Sequence, residues 1–124
     1  SLGHSTHDFG CYNTESMDYS DVAFPACEAV AAGEYDRGVV ICTTGIGMCI
    51  SANKVRGIRC ALCCNAFMAE MTRRHNDTNV LALGAQVIDE ALAKQIVSIW
   101  LGTAFEGGRH ARRIGKISEY ESNH

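Results

Sequence analysis

The densest chemistry in the sequence is the run Cys42-Thr43-Thr44-Gly45-Ile46-Gly47. A thiol is followed by two hydroxyls and two glycines, and the pattern then turns helical. Glycines let a backbone turn tightly and approach a ligand closely. A helix start presents free N–H groups and the positive end of its dipole, which suits an anion, a developing oxyanion or a thiolate. The same residues would also serve as a plain structural turn around a buried cysteine, since a lone G-x-G is a weak signal. Two thiol chemistries are set aside. A C-x5-R phosphatase loop would need arginine where Met48 stands, and there is no G-x-S-x-G elbow.

Two further segments carry titratable groups. Arg73-Arg74-His75-Asn76-Asp77 closes a short helical pattern. His75 there is either a helix cap or a general acid or base working near neutral pH. Gly107-Gly108-Arg109-His110-Ala111-Arg112-Arg113 opens the last helical pattern. Arg109 and Arg113 are four residues apart and share a helix face, either as a phosphate clamp or as an ordinary basic surface.

The elements that must position these groups alternate. Residues 38–42, 58–63 and 79–83 are short apolar runs, as expected of parallel strands covered on both faces. Between and around them lie helical patterns. One spans residues 21–32 with Ser20 as its cap, and another spans 46–53. Asn65 caps a helix over 66–74. Asp89 caps a long one to about residue 101 that buries Leu92, Ile96, Ile99 and Trp100 along one side. The last helix covers 109–120. A short strand over residues 4–9, a loop over 11–19 and a frayed tail over 119–124 complete the reading. The pattern predicts a Rossmann-like α/β fold: three α/β/α layers around a mostly parallel sheet, with ligands beyond the carboxyl ends of the strands.

Composition bounds the function. The chain has 124 residues, 47% hydrophobic and 20% charged, the size and balance of one globular domain. No apolar run reaches the roughly 20 residues of a membrane span, and the opening residues lack the pattern of a secretion signal. The first residue is Ser1 rather than Met, as in a processed or shortened chain. A net charge of -3 without a broad basic block argues against nucleic acid and for a small anionic ligand. Seven cysteines, an odd number with no stapling pattern, read as reduced thiols of a cytoplasmic protein. Cys60 and Cys63 form a C-x-x-C pair, but an odd offset in a strand points them to opposite faces, so no metal site is expected there. Met48, Met68 and Met71 read as packing residues.

Four stretches, in order, resemble the type B ribose-5-phosphate isomerases and the related galactose-6-phosphate isomerase subunits. They are DYSDVA (residues 18–23), GVVICTTGIGMCISANKVRGIR (38–59), RRHNDTNVLALGAQV (73–87) and FEGGRHARR (105–113). The thiol at position 42 points to the ribose-type group. The resemblance implies interconversion of ribose 5-phosphate and ribulose 5-phosphate through a cis-enediolate, with no metal or cofactor, in a homodimer or a dimer of dimers. By motif, Cys42 is implied as the proton-moving base. Thr44 and the amides of Gly45, Ile46 and Gly47 are implied as the oxyanion loop. His75 is implied in ring opening, Asn76 in sugar contact, and Arg109 and Arg113 in phosphate binding. His75 and the arginines would serve the partner's Cys42. A six-carbon aldose phosphate (allose or galactose 6-phosphate) is the alternative substrate, and a non-catalytic sugar-phosphate-binding protein the alternative role.

Two departures accompany the resemblance. Thr43 stands where the family usually has glycine. The family's first strand and helix, with an Asp and a His for the site, have no counterpart here, and His4 and His7 do not replace them. Residues 1–124 are thus expected to be a single isomerase domain, N-terminally incomplete relative to the family, with sheet edge and apolar surface left bare.

Overall fold

The computed structural model describes residues 19–124. The expected strand over 4–9 and loop over 11–18 lie outside the described residues.

Three parallel strands, β1 (Gly38–Cys42), β2 (Cys60–Leu62) and β3 (Val80–Gly84), form a sheet in the order β1-β3-β2. The register sets Gly38 against Val80, Cys42 against Gly84, and Cys60 against Val80. The central β3 is buried along its whole length, as a strand covered on both faces must be. Helices α1 (Tyr19–Ala31) and α2 (Ile46–Ala52) cover one face. There Ala23, Cys27, Val40, Met48, Cys60, Val80 and Ala82 form one core cluster. Helices α3 (Ala66–Asn76) and α4 (Glu90–Gly102) cover the other, around Cys63, Leu81, Leu83, Ile96 and Trp100. Cys60 and Cys63 therefore do face opposite ways. The three layers and the parallel sheet are those expected.

Local sequence explains most element ends. The side chain of Asn65 accepts the Met68 amide at 2.9 Å, and that of Asp89 accepts the Leu92 amide at 2.8 Å. Trp100 is fully buried and donates its indole N–H to Thr78 Oγ1 at 3.0 Å, pinning α4 to the start of β3. Burial pushes the Cys27 thiol up to about 11 and the Cys63 thiol up to about 12, so both are inert packing groups.

Four expectations are corrected. Helix α1 already includes Tyr19, so Ser20 lies within the helix rather than before it. The second strand is confined to Cys60–Leu62, because the Arg59 amide turns to Asn79 Oδ1 at 2.8 Å. Met68 is 37% exposed and is not a core residue. The C-terminal tail is not frayed. Helix α5 (Arg109–Asn123) runs to Asn123, and the Glu121 carboxylate accepts the Gly57 amide at 3.1 Å while its carbonyl accepts from Arg56 at 3.3 Å.

No described strand pairs with the outer edge of β1, where Val39 and Ile41 are exposed. No helix among the described residues is long and apolar enough to cross a membrane.

Candidate active site

Cys42 closes β1 at the carboxyl edge of the sheet and is half-buried. The chain then turns through Thr43 and Thr44 into Gly45, whose φ of 82° is a left-handed conformation that favours glycine. That turn brings the Gly45 amide to 3.2 Å from Cys42 Sγ, where it donates a hydrogen bond to the sulfur. The Ile46 amide donates to Thr44 Oγ1 at 3.3 Å. Thiol, hydroxyl and amides thus converge on one short turn, whose N–H groups suit negative charge developing on an adjacent oxygen.

The turn is stitched to β3. The Ala85 amide donates to Cys42 O at 2.8 Å and the Gln86 amide to Thr43 O at 3.0 Å. A Cβ on Gly84 would lie 2.5 Å from Thr44 O, so only glycine lets the two segments approach this closely. Gly84 is a site-forming residue that the sequence reading passed over, although a glycine directly after an apolar run was a visible signal. Thr43 is exposed, and Asp77 is the only non-glycine residue with positive φ among those described. A β-branched side chain at 43 therefore imposes no backbone strain.

The other expected site residues lie elsewhere. Helix α3 runs antiparallel to the strands, so its last turn, with His75 and Asn76, reaches the amino edge of the sheet. Asp77 caps it with φ 45°. Arg73 donates to the Asp77 carboxylate at 2.8 Å, and Arg59 donates to the Asp77 carbonyl at 2.9 Å. Arg73 is only 5% exposed and also donates to the carbonyls of Thr78 and Thr103, so it builds the fold and is not a surface cation. Asn76 is exposed, and its Oδ1 accepts from the Thr72 hydroxyl at 3.2 Å.

Helix α5 joins His75 at the same edge. The imidazoles of His75 and His110 stack with centroids 4.2 Å apart and planes 12° from parallel. The Glu106 amide donates to Arg74 O at 3.1 Å, and Arg74 bridges Glu70 and Glu106. Arg109 and Arg113 are exposed, and among the described residues they make no ion pair or hydrogen bond. By contrast Arg37, Arg59, Arg73 and Arg74 are all engaged. Two unengaged guanidiniums at a helix start are poised for an anion. His110 is buried at 7% exposure. Burial first, then the neighbouring His75 and Arg109, hold its pKa below the ordinary histidine value.

His75, Glu106 and His110 bring donor atoms within 4.8 Å of one another. Stacked imidazoles direct their in-plane lone pairs side by side, however, and three guanidiniums crowd the cluster. The arrangement suits an anion-handling site better than a metal.

The last helix does not come to the carboxyl ends of the strands. It crosses the amino edge, tied there by His75 at one end and Gly57 at the other. Cys42 and His75 are thus separated by at least the length of a strand, about 15 Å at roughly 3.3 Å per residue.

A sequence model of the ribose/galactose isomerase family matches residues 1–117. The chain belongs to the ribose/galactose isomerase family. It is 61% identical over 115 residues to a Bacillus subtilis protein provisionally named a sugar phosphate isomerase, covering 92% of this chain and 77% of that one. It is 47% identical over 114 residues to ribose-5-phosphate isomerase B of Escherichia coli, covering 92% and 76%. The structure of ribose-5-phosphate isomerase B from Clostridium thermocellum superposes with a TM-score of 0.96 at 53% identity, covering 98% of this chain and 82% of that one. The α/β fold described above is therefore the architecture of the ribose-5-phosphate isomerase B structures.

Proposed function

We propose that this protein interconverts ribose 5-phosphate and ribulose 5-phosphate, the isomerisation of the pentose phosphate pathway, as a cytoplasmic homodimer. Residues 1–124 act in it as a single isomerase domain. Cys42 takes the proton from C2 of the open-chain aldose and returns it to C1 through a cis-enediolate. The observation that carries this reading is the Gly45 amide 3.2 Å from Cys42 Sγ at the end of β1, a thiol held in place by a backbone donor beside the helix start. Thr44 and the amides of Gly45, Ile46 and Gly47 stabilise the developing enediolate oxygen. His75 assists ring opening, Asn76 contacts the sugar, and Arg109 with Arg113 binds the phosphate. The chemistry asks for no metal or cofactor, because a positioned base and oxyanion donors suffice.

The half-sites stand at opposite edges of the sheet, so a second copy must supply the arginines and His75. Exposed apolar side chains at both edges support such pairing: Ile46, Phe67 and Val87 near the Cys42 turn, and Ile117 and Tyr120 on α5. A two-fold interface would cover both sets at once.

The test is isomerisation of ribose 5-phosphate in the presence of EDTA, comparing the parent with Cys42→Ala and His75→Ala. Each variant alone should lose most activity. Unfolded together and refolded at equal ratio, they should recover about a quarter of the parental rate. Half the dimers are then mixed, and each has one intact site. Full parental activity in Cys42→Ala would refute the thiol as base. Absence of recovery on mixing would refute the shared site.

A further inference from the structure

The stack of His75 on His110 has a built environment. His75 sits in the last turn of α3, half-buried, at a helix end where an imidazole is otherwise free about its soft χ2 torsion. His110 lies against it at 4.2 Å, itself buried. Glu106 Oε1 stands 3.6 Å from His110 Nε2, while Glu106 Oε2 is held by Arg74 at 3.2 Å. The Glu106 amide is held in turn by the carbonyl of Arg74, the residue before His75. The elements interlock: α3 holds Glu106, Glu106 stands beside His110, and His110 covers one face of His75.

We propose that His110 is a positioning residue for the isomerase reaction, acting through His75 by holding its ring plane rather than by touching the substrate. The inference rests on the reading of His75 as the ring-opening group. The charged and titratable groups against His110 are His75 from α3, Glu106 from the preceding loop, and Arg109 and Arg113 from α5, with Arg74 and Glu70 of α3 one step behind Glu106. Burial first, then His75 and Arg109, hold the His110 pKa below the ordinary histidine value against the opposing pull of Glu106. General acid–base catalysis needs the ring within hydrogen-bond reach and in plane with the sugar oxygen, and a misplacement of about 1 Å costs on the order of a hundredfold.

The experiment is a double-mutant cycle on kcat with ribose 5-phosphate, using His110→Ala, His110→Phe, His75→Ala and the pairs of these. His110→Ala should lower kcat about ten- to a hundredfold with KM within about twofold. His110→Phe keeps a flat ring to stack on and should recover most of that loss. In the His75→Ala background, His110→Ala should cost nothing further, because the group it positions is gone. A loss of equal size with and without His75 would overturn the inference. So would a rise in KM alone, which would mark a phosphate contact, or a Phe variant as poor as Ala. The His75 ring protons in the NMR spectrum read the stack without any turnover: the ring-current shift should vanish in His110→Ala and persist in His110→Phe. A parent that shows the shift but does not turn over ribose 5-phosphate refutes the isomerase reading, and this inference with it. A parent that turns it over without the shift refutes the inference alone.

Discussion

Replacing Gly45 by alanine tests the physical basis of the Cys42 turn. The residue has φ 82°, a conformation that costs an L-residue about 1–2 kcal/mol. The added methyl would stand 2.5 Å from Leu62 Cδ1, 2.9 Å from Leu83 C and 3.0 Å from Leu83 O. Leu62 can turn away, because its contact is the end of a side chain. Leu83 cannot, because its carbonyl carbon and oxygen belong to the central strand, which is paired on both sides. Overpacking against such a wall costs about 1–3 kcal/mol. If the turn keeps its shape, Gly45→Ala should therefore lose about 2–5 kcal/mol in urea unfolding, a large part of the total stability of a small domain. If the turn shifts to escape, the amide leaves Cys42 Sγ, and kcat should fall at least about tenfold while stability is partly spared. Unfolding and turnover measured on the same preparation distinguish the two. A variant within about 0.5 kcal/mol of the parent in stability and within about twofold in kcat would refute the argument.

Three further outcomes are expected. Gly115 lies in the exposed middle of α5 with open space around its Cβ position, so Gly115→Ala should raise stability by about 0.5–1 kcal/mol in the same unfolding assay. The Cys27 thiol rises from 9.0 to about 11 on folding, so the unfolded chain loses that proton first. Stability from this group is complete below pH 9 and should decline as pH rises towards 11. A Cys27→Ala variant should show a shallower decline of its thermal midpoint over that window. Asp77 answers Arg73, whose guanidinium is nearly fully buried, so Asp77→Ala should cost about 3 kcal/mol and lower the isomerase rate through the displaced end of α3. Asp77→Asn, which keeps an oxygen acceptor and tolerates positive φ, should cost less than half of that by urea unfolding.

What was legible in the sequence is what local rules write. Strand β1 was readable residue for residue, because GVVIC is a short, partly β-branched apolar run between polar segments. Asn65 and Asp89 were readable as caps because each stands before an amphipathic stretch with its acceptor free to turn back. The Cys42 turn was readable because thiol, hydroxyls and glycines are adjacent in the chain. What was not legible depends on groups far apart in sequence. Arg73 stands in a charged run at a helix end, and its burial follows from contacts to Thr78 and Thr103 that no local pattern announces. The tail looked frayed because its anchor, Glu121 on Gly57, spans 64 residues. Glu106 and His110 sit inside a stretch singled out for its arginines, and nothing in the spacing reveals that one ring lies on another.

The direction of α3 governs how the site is divided. A crossover helix must run antiparallel to the strands it joins, so the end of α3 that carries His75 faces away from the end of β1 that carries Cys42. No rearrangement of side chains closes a gap of one strand length. The two half-sites also differ in build. The Cys42 turn is rigid and locked by Gly45, Gly84 and two amide bonds to β3, as the proposed base would need to hold its place. The α5 half presents two unengaged arginines to solvent, which an incoming phosphate can reach before the sugar meets the thiol. A reaction that first captures an anion and opens a ring, then moves a proton, divides along the same line. On the proposed reading, a second copy is what lets one small sheet carry both steps.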